Sequence, residues 1–356
     1  MNKENTKRSI ETLFRQQVKK DKKVKSAFLL VHSDKSGIRM RLAEGLSGGE
    51  PVHPDQPFYT ASVGKIFTST IVCMLVEQGK LRFEDPIGRY LDTGLMHKLL
   101  VVKGKDFSQS ILVKHLLNHT SGLYDNFWPL LQKLLDKADP EMTPRKAVEW
   151  GKDNLRPYGA PGTRLHYADT NYHLLGMIIE HITERPFHQV LSDFIYEPLG
   201  MVHASMLGYS TPLEQAAHPT ADFFMNGKKI NDLPGYAQLD YAGGGVVAPM
   251  GDLLKFMKAL VNHQLVSKST LDQMQTGKRF LVFNEYGYGM MIFKGFRLIM
   301  PGKLSAWGHA GATGAFLFYN PRFEACLAGT FNESSWERKG VQFMFRVINK
   351  LSKHEQ

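Results

Sequence analysis

Tyr59-Thr60-Ala61-Ser62-Val63-Gly64-Lys65 runs directly into Ile66-Phe67-Thr68-Ser69-Thr70-Ile71-Val72-Cys73-Met74-Leu75-Val76, and this stretch decides how the chain is read. Ser62 and Lys65 lie three apart at a helix start. Residues at i and i+3 share a helix face, so the hydroxyl and the amine can touch at the positive end of the helix dipole. A serine hydroxyl is a weak nucleophile until a neighbour takes its proton, and a lysine one turn away is a candidate for that neighbour. The apolar run that follows is long enough to be a buried helix holding both groups. A Ser-x-x-Lys spacing arises by chance about once in a chain of this length, so the pair needs support from elsewhere. Its bland reading is an N-capping serine beside a solvated lysine.

Working outward, residues 4–20 carry Ile10, Leu13, Phe14 and Val18 on one helical face. Ala27–Val31 and Ile38–Ala43 read as strands joined by an Asp34–Gly37 turn; Lys35-Ser36-Gly37 is therefore a hairpin tip. Ile111–Leu117 begins a helix, with Gly122 as its expected C-terminal cap. Residues 128–137 and 144–153, Leu174–Ile182, Phe187–Ile195 and Met250–Leu260 follow as helices. Gly243-Gly244-Gly245 is expected to be a tight turn. From residue 280 strands return at Phe280–Phe283, Tyr288–Phe293, Phe296–Met300, Ala315–Tyr319 and Ala325–Thr330, and Arg338–Leu351 closes the chain as a helix. The expected fold is α+β: one antiparallel sheet built from both chain ends, with terminal helices on one face and a helical subdomain inserted between the strands. As a single catalytic domain of 356 residues, this assigns 1–60 and 280–356 to sheet and terminal helices, and 61–279 to the helical subdomain.

The formal net charge is +10, with Lys19, Lys20, Lys22, Lys23 and Lys25 clustered near the N-terminus. No nucleic-acid motif accompanies them, so a solvated helix end is the expectation. The two cysteines, Cys73 and Cys326, lie in apolar runs and form no disulfide framework, which fits a reducing compartment. The first 25 residues hold no apolar segment of the secretory kind, and no apolar run reaches the ~18 residues of a membrane span. A cytoplasmic location, no nucleic-acid partner and no membrane span are expected; oligomeric state is not readable. His115 and His119 have metal-pair spacing, but no third ligand supports them. No metal and no cofactor are expected.

A set of short motifs occurs in a fixed order: Ser62-Val63-Gly64-Lys65, Lys114-His115-Leu116-Leu117-Asn118-His119-Thr120-Ser121-Gly122-Leu123, Tyr167-Ala168-Asp169, Tyr172-His173-Leu174-Leu175-Gly176, Glu197-Pro198-Leu199-Gly200-Met201, Gly243-Gly244-Gly245 and His309-Ala310-Gly311. Over roughly residues 27–331 the chain resembles the serine β-lactamase/penicillin-binding-protein superfamily, in its class C-like branch with esterases and D-aminopeptidases. The resemblance implies Ser62 as nucleophile, Lys65 as its partner and Tyr167 as catalytic tyrosine. It implies an oxyanion hole from the backbone N–H groups of Ser62 and Ala312, and substrate contacts from Asp169, His309 and Gly311. The rival Tyr124-Asp125-Asn126 spells the usual tyrosine motif better but falls where the family has a loop. A Lys65 ammonium near Tyr167 would favour its phenolate, making it a base.

Two departures from the family pattern shape the substrate expectation. Asp169 stands where asparagine is usual, and an ionised carboxylate cannot donate to a substrate carbonyl. His309 stands where many relatives carry lysine, and a histidine is mostly neutral at pH 7. A small-molecule acyl substrate without an obligatory carboxylate, such as a short acyl ester, is the expectation. The alternatives are a β-lactamase or D-amino-acid peptidase of the same fold, and a penicillin-binding or sensor-type domain that acylates without turnover.

Overall fold

The computed structural model describes residues 2–225, 227–281, 284–294 and 302–353. Among them, nine strands form one antiparallel sheet in the order Lys278–Leu281, Asn284–Tyr286, Met291–Phe293, Ala306–Ala310, Phe316–Asn320, Ala325–Thr330, Ser26–Ser33, Ile38–Ser47 and Glu50–Pro51. The two chain ends meet at the centre of this sheet, where Leu30 pairs with Ala328 and Val31 with Leu327. Successive side chains on a strand point to opposite faces. Ala27, Leu29 and Val31 therefore share a core with Ile10, Phe14, Phe343, Val347 and Ile348. Those residues come from helices Lys3–Lys20 and Glu337–Ser352, which cover that face. Phe28 and Leu30 point the other way, into a larger core with Val63, Ile66, Phe67 and Ile71.

That second core is the base on which the serine segment rests. Helix Gly64–Glu77 is buried along nearly its whole length, as its apolar run requires. Helices Thr170–Thr183 and Tyr236–Gly244 pack beside it. Ser62 itself precedes the α-helix, which begins at Gly64, and lies in a 3₁₀ turn over Ala61–Val63.

Several local expectations are corrected. The helix read from Ile111 spans Val113–Leu117 and is capped at Asn118; Gly122 lies beyond it. Gly243 and Gly244 are not a loop turn: they lie in a single helical turn after a break at Tyr241 (φ +41°) in helix Tyr236–Gly244, with Gly245 as cap. Their lack of side chains serves close packing: a Cβ on Gly244 would lie 2.8 Å from the Ala61 carbonyl carbon and 2.7 Å from the Asp240 carboxylate. The strand read as Tyr288–Phe293 begins only at Met291, because Gly287–Met290 turns the chain back after a separate strand, Asn284–Tyr286. Phe296–Met300, and the end of Phe280–Phe283, lie outside the described residues. No helix among the described residues is long and apolar enough to cross a membrane.

Candidate active site

Ser62 is held in a turn whose first residue, Ala61, adopts φ +49°, a left-handed conformation that costs a non-glycine residue about 1–3 kcal/mol. The turn is gripped on two sides by backbone that only glycine permits. Gly244 packs against it from the helical side, and Gly311 from the sheet, where a Cβ would lie 2.6 Å from Thr60 O. Ser62 is half-buried and does not cap the following helix. Its hydroxyl is instead 3.1 Å from Lys65 Nζ.

Lys65 is fully buried. Its Nζ donates to Ser62 Oγ, to Gly243 O at 2.7 Å and, in a close ion pair, to Asp169 Oδ1. Three acceptors match the three hydrogens of an ammonium. The last turn of helix Tyr236–Gly244 thus supplies a carbonyl to the site. A Cβ on Gly243 would come within 3.0 Å of Asp169 Oδ1 and 3.4 Å of Lys65 Nζ. Asp169 is engaged with Lys65, which accounts for its carboxylate in physical terms: it balances a buried cation.

Tyr167 joins from the segment before helix Thr170–Thr183. Its ring lies 5.2 Å from Lys65 Nζ, and its hydroxyl is near enough to the Ser62 side chain to be influenced by it. The expectation of a phenolate is corrected. Burial first, and the charge of Asp169 second, push the Tyr167 phenol well above its ordinary value, so it is a neutral hydroxyl. His119 fixes this segment: its Nδ1 accepts from Ala168 N at 3.2 Å and from the Asn171 amide at 2.9 Å, and its ring lies 4.2 Å from that of Tyr167. Its partner in the proposed metal spacing, His115, turns its Nδ1 to Leu112 N at 3.1 Å. Each imidazole thus holds backbone through its Nδ1, while His119 Nε2 is buried without a hydrogen-bond partner among the described residues.

His309, the expected substrate contact, has both ring nitrogens engaged within the protein. It is fully buried, its Nδ1 donates to Ala310 O at 2.6 Å, and its Nε2 accepts from Tyr286 OH at 2.9 Å. Ala310 O can only accept, which fixes the tautomer. Burial, and secondarily the charge of Lys65, push its pKa down to about 3, so it is neutral. Gly311 and Ala312 follow at the end of this strand; Gly311 N donates to Ala315 O at 2.8 Å, and its bare Cα lets the strand end abut the Ser62 turn.

Three residues around Lys65 escaped the sequence reading. Tyr286 sits on a short strand, Asn284–Tyr286, that falls between the two strands expected at Phe280–Phe283 and Tyr288–Phe293. Asp125 belongs to the rejected Tyr124-Asp125-Asn126 motif: Tyr124 OH donates to Val148 O at 2.7 Å, well away from the serine, but Asp125 Oδ1 accepts from Asp169 N at 3.0 Å. Asp240 accepts a close hydrogen bond from Tyr59 OH, which in turn accepts from Tyr236 OH at 2.7 Å. Burial raises the carboxyls of both Asp125 and Asp240, the latter to about 7, and the charge of Asp169 adds to each. No motif spelling marks them, because each is brought to Lys65 by packing.

A sequence profile of the Beta-lactamase family matches residues 10–345. The chain belongs to this family. The protein PbpX of Bacillus subtilis (strain 168) is 28% identical over 291 residues, which cover 79% of this chain and 66% of PbpX. The chain thus spans slightly less than two thirds of that relative's length. Among solved structures, the fold is similar to that of D-amino acid amidase from Ochrobactrum anthropi SV3 in complex with L-phenylalanine, at a TM-score of 0.80 and 20% identity over 99% of this chain and 100% of that one. It is also similar to a D-stereospecific amidohydrolase from Streptomyces sp., at a TM-score of 0.76 and 24% identity over 96% and 98%.

Proposed function

We propose that this protein is a serine hydrolase that forms an acyl-enzyme on Ser62, with small acyl esters as its preferred substrates. The observation that carries the reading is the placement of one hydroxyl, Ser62 Oγ, beside a buried amine 3.1 Å away and a half-buried phenol. Lys65, with its hydrogens on Ser62, Gly243 O and Asp169, orients the hydroxyl and steadies negative charge on it. Ser62 Oγ then attacks the ester carbonyl carbon. The Ser62 proton passes to the Tyr167 oxygen while the Tyr167 proton passes to the leaving alkoxide, so the C–O bond breaks without a phenolate at either end. A phenol with a raised pKa suits this exchange, because it holds its proton until a strongly basic leaving oxygen develops. The N–H groups of Ser62 and Ala312 are assigned to the carbonyl oxygen as it becomes an anion. Water repeats the sequence to free the acid.

Esters are preferred over amides and over substrates with a carboxylate beside the scissile bond for two reasons on the site itself. Asp169 offers no amide donor and is tied to Lys65. His309 is neutral and spends both nitrogens inside the protein. The fold shared with a D-amino acid amidase supports a second reading, a D-amino-acid amidase or peptidase. The test is turnover of p-nitrophenyl acetate and butyrate against D-phenylalanine amide and a chromogenic cephalosporin, with intact-mass detection of the acyl adduct. Esters turning over far faster, with Ser62→Ala folded and inert, is the expected result. Full activity in folded Ser62→Ala, or faster cephalosporin turnover, defeats the proposal.

A further inference from the structure

The lysine-rich segment after the N-terminal helix is exposed, as expected, and it also borders a cavity. Lys22, Lys23 and Lys25 line a cavity of about 560 Å³, together with Trp128, Phe224 and Glu333. The segments that wall this cavity are linked to those that carry the Ser62 site. Glu333 N donates to Thr313 O at 3.0 Å, one residue beyond Ala312. On the other side, Asp125 Oδ1 accepts from both Asp169 N and Phe127 N, and the Trp128 ring stands edge-on to Phe127 at 5.2 Å and 84°. Phe127 and Ala312 pack in one apolar cluster with Tyr59 and Ala61, directly beneath the serine turn.

The lining has a definite chemistry. Trp128 is 46% exposed, one of few large apolar side chains left open among the described residues. The three lysines are exposed, and among the described residues none of them forms an ion pair. The one carboxylate in the wall, Glu333, is buried and turned back on its own chain, where Oε1 accepts from Ser335 N at 3.2 Å. Three cations and a free indole thus face one space, with a single shielded anion. The ammonium groups attract negative charge, and the indole takes a flat or apolar surface. Beside the scissile bond the neutral His309 offers no such cation, so the charge belongs at the far end of the substrate.

From this we infer that the cavity is a substrate subsite for an anionic group (phosphate, sulfonate or carboxylate) carried at a distance from the acyl carbon, with Trp128 stacking on the arm between. The inference rests on the serine-hydrolase reading for its place in turnover, but binding alone also tests it. The binding probe is methoxypyrene trisulfonate, which is flat, anionic and not hydrolysable; its fluorescence anisotropy is read with folded Ser62→Ala protein. Binding is expected, weakened at least ~tenfold in the background of Lys22→Gln/Lys23→Gln/Lys25→Gln and in that of Trp128→Ala. Raising NaCl from ~0.05 to ~0.5 M should weaken it likewise, as screening requires. In turnover by the native serine protein, KM for acetoxypyrene trisulfonate should rise at least ~tenfold in the triple variant, with 4-methylumbelliferyl acetate unaffected. Absence of dye binding, binding indifferent to the lysines, or equal loss for both esters overturns the subsite. Lysine-dependent sedimentation with phosphatidylglycerol vesicles, without dye binding, would also overturn it and assign the lysines to a membrane surface. Dye binding with no ester turned over would leave the subsite standing and refute the hydrolase reading instead.

Discussion

Replacing Asp240 by asparagine should flatten the dependence of stability on pH by an amount the structure allows to be worked out. Asp240 is 4% exposed, beneath the serine turn, and bonded to Tyr59 OH. Burial is the main cause that lifts its carboxyl from 3.8 to about 7, with the charge of Asp169 adding and Tyr59 and Lys65 opposing. A raised acid holds its proton more tightly in the fold than in the unfolded chain. Its contribution is therefore fully present below about pH 4 and is lost as pH rises through about 7. At about 1.4 kcal/mol per tenfold change, the whole effect is about 4 kcal/mol, of which about 2–3 kcal/mol falls between pH 5 and 8. Asparagine has nearly the same shape, still accepts from Tyr59, and cannot ionise. Urea unfolding of both proteins at pH 5 and 8 is the assay. Asp125 is raised in the same direction and titrates in both proteins, so the difference between the two curves isolates Asp240. The variant should gain about 2–3 kcal/mol relative to wild type on going from pH 5 to 8. If the two proteins lose stability in parallel, to within about 0.5 kcal/mol, Asp240 is ionised in the fold at both pH values and the argument from burial is wrong.

Two further outcomes follow from the same geometry. Tyr167→Phe keeps the half-buried ring but removes the proton-carrying hydroxyl; kcat on an activated ester should fall by about 10²–10⁴, with unfolding free energy changed by no more than about 1 kcal/mol, and a kcat within threefold of wild type would remove Tyr167 from the proposed shuttle. Gly311→Ala places a Cβ 2.6 Å from Thr60 O and 2.7 Å from the Ala61 Cβ; overpacking should cost about 1–3 kcal/mol and displace the Ser62 turn, so kcat/KM should drop at least tenfold in protein that remains folded by circular dichroism, and unchanged kinetics would refute the close approach.

Local pattern was enough to place the serine helix, the two terminal helices and the central strands, because each of these is long and strictly periodic. Ile10, Leu13, Phe14 and Val18 repeat at helical spacing and are all buried in one core. Short elements were less legible. Asn284–Tyr286 and Met291–Phe293 are three residues each, too few to show a period, and the turn at Gly287–Met290 between them carries apolar residues as well. The glycine triplet was misread because glycine marks a turn locally but a close backbone approach globally, and the distance to Ala61 is a property of the packed state.

The order of motifs along the chain determined which serine, lysine and tyrosine to compare, since those residue types recur in the family at fixed places. The company each one keeps was settled only by tertiary structure. Asp240 and the Gly243 carbonyl share one helix, but Asp125 and Tyr286 come from two other segments, and no spacing in the chain encodes their meeting around Lys65 and His309. Protonation was decided there too: a phenol beside a lysine reads as acidic on paper, but burial and the Asp169 carboxylate outweigh that single cation. Charge states depend on the sum over every neighbour and on the loss of water, and both exist only once the chain has folded.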